Sequence, residues 1–358
     1  MPSLKEIKGR INSISSTLAI TSAMKMVASA KLQKAQMAIQ NMLPYERRLY
    51  SMLLDLMGAM NISAAASEDG SVRGSGSAER GFDQSGDRLS LSNRHDLAGM
   101  DGAYSLMAQR EVRKVAIVAF ASNSSLCGAF NSNVIREATA VINEYRASGL
   151  GDADITVYSV GRKMAEAMRK LGFPSPDDFT RMSDSPSYEA ASALAQELLD
   201  GFVSGRFDKV ELVYNHYKST SSQPTTRQTY LPLSLADATA DIQVGKITDS
   251  ASESDTNRGA EPVGAPVVRQ GSPTTEDLIV EPSKEALIAT LLPKVIRLRV
   301  FTTLLDSAAA EHAARTVAMQ LATDNGNDLL QELTLEYNKG RQQKITSEIL
   351  DLVGGSMQ

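Results

Sequence analysis

The chain has few residues whose type and spacing could support catalysis. Its three histidines, His95, His216 and His312, lie far apart and lack the spacing of a metal site. The single cysteine, Cys127, has no histidine close to it in sequence that could act as its base, so we predict that it is a small buried packing residue. These residues therefore predict neither a metal site nor a covalent catalyst.

Nucleotide-binding motifs are also missing from the sequence. No GxxxxGKS or GxxxxGKT loop occurs, and no GxGxxG follows the first predicted strand. The turn at 126–131 contains one glycine, Gly128, and no lysine that could bind a phosphate. We predict no catalytic residue, no cofactor and no metal on this chain. A nucleotide-binding enzyme stays as an alternative because the middle of the chain has an α/β pattern.

The last part of the chain, from about Ser283 to Gln358, has the pattern of one very long helix. Apolar or small residues recur there in alternating steps of three and four, which indicates a coiled coil. About seventy residues would form a rod roughly 105 Å long. Pro293 should kink this helix or mark its first turn. The stripe comprises Ile288, Leu291, Val295, Leu298, Thr302, Leu305, Ala309, His312, Thr316 and Met319, and resumes with Leu330, Leu333 and Tyr337.

The beginning of the chain supplies a partner for that helix. A stripe of the same kind runs from Leu4 to Thr21 and again from Ala28 to Met42, so we predict a helix from Ser3 to near Met57 with Pro44 inside it. The two ends should pair antiparallel, with the rest of the chain forming a separate body. Each stripe could instead be the core face of an ordinary helix, but periodic patterns much longer than 25 residues favour a coiled coil.

Between the two ends, strand and helix patterns alternate. Strands are predicted at Arg113–Ala121, Ile155–Val160, Lys209–His216 and Thr225–Leu233, with a short one within Phe173–Thr180, and helices at Ser132–Ala147, Arg162–Leu171 and Ser187–Ser204. This alternation is typical of a mixed or parallel sheet covered by helices. The predicted fold class is α/β, with a long antiparallel coiled coil of the N- and C-terminal helices and a central Rossmann-like α/β domain.

Composition suggests how the chain is divided. We assign residues 1–60 and 283–358 to the coiled coil, 61–110 to a polar, disordered insertion, 111–235 to the central domain and 236–282 to a polar surface loop. The net charge of −5 gives no reason to expect nucleic-acid binding. The basic first 48 residues suggest an acidic partner surface, although a solvated charged face is the commoner cause of such a charge balance. No apolar run is long enough to cross a membrane, and we expect no cleavable signal.

Several stretches resemble the gamma subunits of F-type ATP synthases. They are residues 20–28 (ITSAMKMVA), 322–326 (ATDNG), 335–342 (LEYNKGRQ) and 345–349 (ITSEI). The turn Leu126-Cys127-Gly128 is also similar, although residues 123–125 (NSS) stand where the family usually has Asp-Arg-Gly. The family's C-terminal signature is matched by Ile345, Thr346, Glu348, Asp351 and Gly355. An alanine usually follows that glycine, and Ser356 replaces it here. The resemblance covers both terminal helices and the central domain.

The resemblance implies a rotating shaft without catalytic residues of its own, because in that family these belong to the beta subunit. It implies partners, namely three alpha and three beta subunits, an epsilon subunit and a membrane c-ring, and no nucleic acid. The expected location is the cytoplasmic face of a bacterial inner membrane, as a peripheral subunit attached only through the complex. A structural coiled-coil scaffold with an embedded α/β adapter domain is the alternative.

The resemblance also implies contacts with the alpha/beta ring. By similarity we assign them to seven residues: Met24, Lys25, Arg315, Arg341, Gln342, Thr346 and Glu348. For Met24, ordinary packing between the two helices is an equal alternative. The end of the chain beyond Lys344 is apolar or small except for Glu348 and Asp351. Such an end could turn inside a hydrophobic sleeve without breaking ion pairs at each step.

Overall fold

The computed structural model describes residues 3–59, 106–233, 281 and 284–356. Most of both predicted polar insertions, together with His95, lie outside the described residues. In chain order the elements are α1 (Leu4–Ala59), β1 (Val115–Phe120), α2 (Phe130–Ala147), β2 (Ile155–Val160), α3 (Arg162–Lys170), α4 (Thr180–Asp184), α5 (Tyr188–Val203), β3 (Lys209–Asn215), β4 (Thr225–Leu231) and α6 (Lys284–Ser356).

The two long terminal helices form as predicted and pack along each other as an antiparallel pair, which we call the shaft. Both contain a proline: Pro44 lies inside α1 and Pro293 inside α6. Pro293 therefore does not mark the first turn of its helix. An interior proline removes one backbone hydrogen bond and is tolerated only where packing compensates for the loss. The fully buried residues Val295 and Ile296 lie two and three positions after Pro293.

The four strands form one mixed sheet in the order β2-β1-β3-β4. Strand β1 pairs parallel with both β2 and β3, and β4 pairs antiparallel with β3. Every residue of β1 is buried, as expected for a strand covered on both faces by helices. The predicted α/β class with a Rossmann-like centre is confirmed.

The two faces of the sheet pack against different parts of the molecule. Val115 and Ile117 lie in a cluster with α2 and α3. Val118 and Phe120, which point to the opposite face, share a cluster with α5 and with the shaft residues Leu53, Leu292 and Ile296. We call residues 32–59 of α1 and 284–315 of α6 the lower shaft. The lower shaft thus contributes to the hydrophobic core of the central domain. There α6 is buried on more than the one side that a coiled-coil stripe would provide, because it contacts the sheet and α5 as well as α1.

The short strand predicted within Phe173–Thr180 is wrong. In the described chain this segment is irregular, and the next element is the single-turn helix α4. Pro174 and Pro176 have no N–H to donate to a neighbouring strand, and two prolines so close together prevent a regular ladder. Phe173 is buried among the residues that contact α3 instead.

One charged group is buried in the sheet itself. Glu211 on β3 is almost fully buried and receives hydrogen bonds from Tyr145 at 2.7 Å and from the Arg227 guanidinium, and it pairs with Lys209 at 2.7 Å. Burial alone would raise the pKa of Glu211, but its three donors outweigh burial and hold that pKa below its ordinary value. The carboxylate thus connects β3, β4 and α2, and its hydrogen-bonding capacity is used within the fold.

Candidate partner-binding surface

Residues 4–21 of α1 lie beside residues 323–340 of α6, and we call this part of the pair the upper shaft. Small residues let its two helices approach closely. A Cβ atom added at Gly326 would lie 2.6 Å from a methyl group of Leu18, and one added at Gly340 would lie 3.2 Å from Leu4. Thr323 donates a hydrogen bond to the Thr21 hydroxyl at 3.2 Å. The contacts move backward along α6 as they move forward along α1, as an antiparallel pair requires.

Beyond Gly340, α6 continues past the end of the described part of α1. The described part of α1 begins opposite Gly340, so residues 341–356, which we call the tip, extend past it by about 24 Å. All residues from 341 to 350 are exposed. The tip nevertheless carries large apolar side chains at Ile345, Ile349, Leu350, Leu352 and Val353. A contiguous exposed apolar surface of this kind marks an interaction site.

The predicted contact residues fall into two groups. Arg341, Gln342, Thr346 and Glu348 are all exposed on the tip. Glu348 forms an exposed pair with Lys344 at 3.7 Å. Met24 and Lys25 are half-buried near the middle of α1 and leave part of their side chains open. Four of the six side chains are thus exposed on the tip, and the other two are half-buried lower on the shaft.

The seventh predicted contact residue, Arg315, differs from the other six. Its guanidinium pairs with Glu311 one turn earlier on α6, at 2.7 Å, and donates to the hydroxyl of Ser124 at 2.7 Å. The side chain is only 11% exposed and that of Glu311 only 9%. Burial raises the pKa of Glu311 and outweighs the opposing effect of Arg315. This arginine therefore already connects α6 to the loop after β1.

Cys127 and His312, which were considered as candidate catalytic residues, are packed among other side chains of the fold. Cys127 is buried against Phe130 and Ala310, which confirms its prediction as a packing residue. His312 lies on the shaft, and its buried Nδ1 atom has no hydrogen-bond partner among the described residues. Burial, together with the charges of Arg315 and Lys31, lowers the pKa of His312 to about 4. Among the described residues, no group of histidine, cysteine and acidic side chains converges as a metal site requires.

The carboxyl edge of the parallel strands, where an open α/β sheet usually binds its ligand, is covered by the shaft. A Cβ atom added at Gly128, in the turn before α2, would lie 3.8 Å from Ala318 of α6. Phe130, the first residue of α2, packs on Ala310. The helix α6 thus lies where a nucleotide would bind next to β1, which argues against the nucleotide-binding alternative.

Sequence reasoning missed one group of residues at this edge. Asp306 of α6 accepts a hydrogen bond from the backbone N–H of Tyr217 at 2.9 Å and lies 2.6 Å from the Nδ1 atom of His216. Gln36 of α1 donates to the Tyr217 hydroxyl at 2.5 Å. No local sequence signal could have revealed these contacts, since the partners are 89 to 181 positions apart in the chain.

With this geometry established, comparisons with known proteins become informative. A profile described as ATP synthase matches residues 3–357. The ATP synthase gamma chain of Phocaeicola vulgatus is 47% identical over 357 residues, covering 100% of both chains. The gamma chain of Bacteroides thetaiotaomicron is 45% identical over 358 residues with the same coverage. The chain belongs to the ATP synthase gamma-chain family.

Two solved structures share the architecture. The rotor of Euglena gracilis mitochondrial ATP synthase in rotational state 1 matches with a TM-score of 0.51 and 19% identity, covering 96% of this chain and 98% of that chain. A second Euglena gracilis complex, in rotational state 3, matches with a TM-score of 0.52 and 19% identity, covering 99% and 93%. At this identity the likeness concerns the fold. Within the described ranges, no helix is long and apolar enough to cross a bilayer.

The full-length matches also bear on the polar insertions. Because 357 aligned residues cover the whole of this chain and the whole of the Phocaeicola vulgatus gamma chain, that relative has nearly the same length. The match to that gamma chain therefore extends across the segments at 61–110 and 236–282.

Proposed function

We propose that this chain is the central-stalk rotor subunit of an F-type ATP synthase. It would couple ion-driven rotation of the membrane c-ring to sequential conformational change, and so to ATP synthesis or hydrolysis, at the beta subunits. The observation that carries the proposal is the exposed apolar tip at the end of a long antiparallel shaft, in a chain whose full length matches gamma chains. The catalytic residues belong to beta in this proposal.

The tip supports the proposal because its exposed apolar side chains would be stabilised by a surrounding apolar surface of a partner. An isolated helix of about this length is marginal in water, and the exposed leucine, isoleucine and valine side chains of residues 345–353 gain free energy only when something covers them. Apolar contacts are not directional, so a helix covered by an apolar ring can rotate without breaking specific bonds. This is the behaviour required of a shaft that turns inside three alpha and three beta subunits.

Polar contacts on the tip and further down the shaft would then be transient. We propose that Arg341, Gln342, Thr346 and Glu348 contact the alpha/beta ring, together with the half-buried Met24 and Lys25. Exposed ion pairs contribute only about 0–1 kcal/mol each, which is weak enough to break and form again during rotation. Arg315 can join such contacts only if its guanidinium releases Ser124.

The remaining partners would bind the opposite end. We propose that the central domain holds the epsilon subunit and the c-ring, so that the chain is a peripheral subunit on the cytoplasmic face of a bacterial inner membrane and reaches the membrane only through the complex. Among the described residues, the shaft packs on one face of the sheet and at the carboxyl edge of the strands, and the other face packs against α2 and α3.

Reconstitution tests the proposal. The purified chain is mixed with the matching alpha and beta subunits, and both complex formation and ATP hydrolysis are measured. We expect one chain per ring and a marked fall in hydrolysis when Arg341 and Gln342 are both changed to alanine. The matched control changes Arg169 and Lys170, two exposed residues of α3 in the central domain, to alanine. This control should leave hydrolysis unchanged.

Two results would contradict the proposal. If the unaltered chain never joins the ring, the scaffold alternative is favoured. If the tip variant and the α3 variant behave alike, the assignment of ring contacts to Arg341 and Gln342 is wrong, although the chain would still be part of the complex.

A further inference from the structure

Tyr217, in the loop between β3 and β4, contacts three parts of the molecule. Its ring packs with Leu32, Ala35 and Ile39 of α1 in one apolar cluster and with Ala310 and Ala314 of α6 in another. The second cluster also contains Cys127 and Phe130 of the central domain. One aromatic side chain thus lies where both shaft helices meet the domain.

Directional bonds surround this aromatic contact. The Tyr217 hydroxyl accepts a hydrogen bond from Gln36 of α1, and its backbone N–H donates to Oδ1 of Asp306 on α6 at 2.9 Å. The other oxygen of the same carboxylate lies 2.6 Å from Nδ1 of His216. The side chain of Asp306 is only 17% exposed. A single loop therefore holds both helices of the shaft by hydrogen bonds.

A second loop holds α6 further along the same helix. The hydroxyl of Ser124, in the loop between β1 and α2, accepts from the Arg315 guanidinium, which is itself fixed by Glu311. Asp306 and Arg315 are about 13 Å apart along the axis of α6. Two attachments separated along one helix, with a third on the other helix through Gln36, oppose both tilting and turning of the shaft against the domain.

We propose that these two loops form the joint through which torque passes between the shaft and the central domain, with Tyr217 and Asp306 as its positioning residues. This inference rests on the proposed rotor function and names the part of the chain that makes the rotor act as one body. The alanines of α6 at the joint let the loops approach the helix closely, but apolar contacts allow sliding. Hydrogen bonds resist turning because their strength falls when donor and acceptor lose alignment.

The test uses the complete ATP synthase in membrane vesicles, where ATP hydrolysis and ATP-driven ion pumping are measured together. The variant combines Tyr217→Phe, which removes the bond from Gln36, with Asp306→Ala, which removes both acceptors on α6. The matched control is Tyr158→Phe, which removes a tyrosine hydrogen bond to Glu197 at 2.8 Å inside the domain. The ratio of ions pumped to ATP hydrolysed is the readout, since a purely structural role would not change it.

We expect the joint variant to keep ATP hydrolysis while the pumping ratio falls by about twofold or more, on the scale of one or two lost hydrogen bonds. The control should keep the ratio of the unaltered complex. An unchanged ratio in an assembled joint variant would overturn the proposal. Failure of the unaltered chain to enter the complex would instead overturn the rotor function, so the two failures are distinguishable.

A local measurement covers the case in which the double variant does not assemble. Hydrogen exchange of the Tyr217 amide is followed in the full chain carrying Asp306→Ala alone, which removes the acceptor of that amide, and in the Tyr158→Phe control. We expect exchange at Tyr217 to rise by about fivefold in the first and to stay constant in the second. No increase at Tyr217 would show that Asp306 does not hold the loop, and would overturn the joint.

Discussion

The helix α6 carries two ion pairs with the same spacing in very different surroundings. Glu311 and Arg315, one turn apart in the lower shaft, are 9% and 11% exposed and 2.7 Å from each other. Lys344 and Glu348, also one turn apart but on the tip, are 66% and 64% exposed and 3.7 Å apart. The sequence pattern is similar, but the first pair is surrounded by the central domain and the second by solvent.

This difference shows that one continuous helix performs two physical tasks. In the lower shaft, α6 contributes fully buried residues such as Leu292, Ile296 and Val300 to the core of the domain. On the tip, Leu352 has the same apolar chemistry but is 75% exposed. Apolar residues in the lower shaft stabilise this chain, whereas those on the tip are available for another one. Three predictions test the contrast.

The largest effect is expected from breaking the buried pair. Arg315→Ala leaves the Glu311 carboxylate buried without its partner, and we expect the free energy of unfolding of the isolated chain to fall by about 3–5 kcal/mol at neutral pH. Lys344→Ala removes an exposed pair of the same spacing and should cost less than about 0.5 kcal/mol. Urea denaturation of the two variants measures both values.

Similar losses from the two variants would contradict the contrast between lower shaft and tip. The comparison also separates the two roles of Arg315, since the isolated chain contains no alpha or beta subunit. A large loss of stability there has to come from contacts inside the chain.

An intermediate effect is expected from pH. The folded chain lowers the pKa of His312 from 6.5 to about 4, chiefly by burial. Between these values the unfolded chain binds a proton that the folded chain does not. Through this group, the free energy of unfolding is at its highest above pH 6.5 and decreases as the pH falls toward 4. His312→Gln should make unfolding less pH-dependent in this window.

The measurement is the free energy of unfolding of both chains between pH 6.5 and 4. Glu311 acts in the opposite direction because burial raises its pKa, but it is present in both chains and largely cancels in the comparison. Identical pH dependence of the two chains would show that the imidazole of His312 is not protected by the shaft.

The smallest effect is expected from two glycines of the upper shaft. Gly9 of α1 has open space around its Cα, so Gly9→Ala should raise the free energy of unfolding by about 0.5–1 kcal/mol, the usual gain inside a helix. At Gly326 the added methyl group would lie 2.6 Å from Leu18. We expect Gly326→Ala to lose that gain and to destabilise the chain by about 1 kcal/mol, because Leu18 has to move.

Thermal or urea unfolding of the two variants checks the sign of the difference. An equal gain at both positions would mean that the helices of the upper shaft are further apart than the Gly326–Leu18 contact indicates. The upper shaft would then resemble the tip more than the lower shaft.

Local periodicity was enough to predict most elements. The N-terminal helix was predicted from Ser3 to near Met57 and forms as Leu4–Ala59, and the strand Ile155–Val160 was predicted with its observed bounds. Buried strands and long helices are specified by alternation and by steps of three and four, which depend on neighbours in sequence. The packing role of Cys127 was also predictable, since a thiol without a nearby base has little other chemistry.

Contacts between distant segments decided the rest. The sequence by itself determined two long amphipathic helices, an α/β centre and an apolar end, because each depends on local residue order. Only the tertiary structure decided that Arg315 is buried against Ser124, that Asp306 and Tyr217 hold the shaft, and that α6 covers the carboxyl edge of the sheet. These features depend on which side chains meet after the chain has folded, and no spacing along the sequence encodes a partner nearly two hundred residues away.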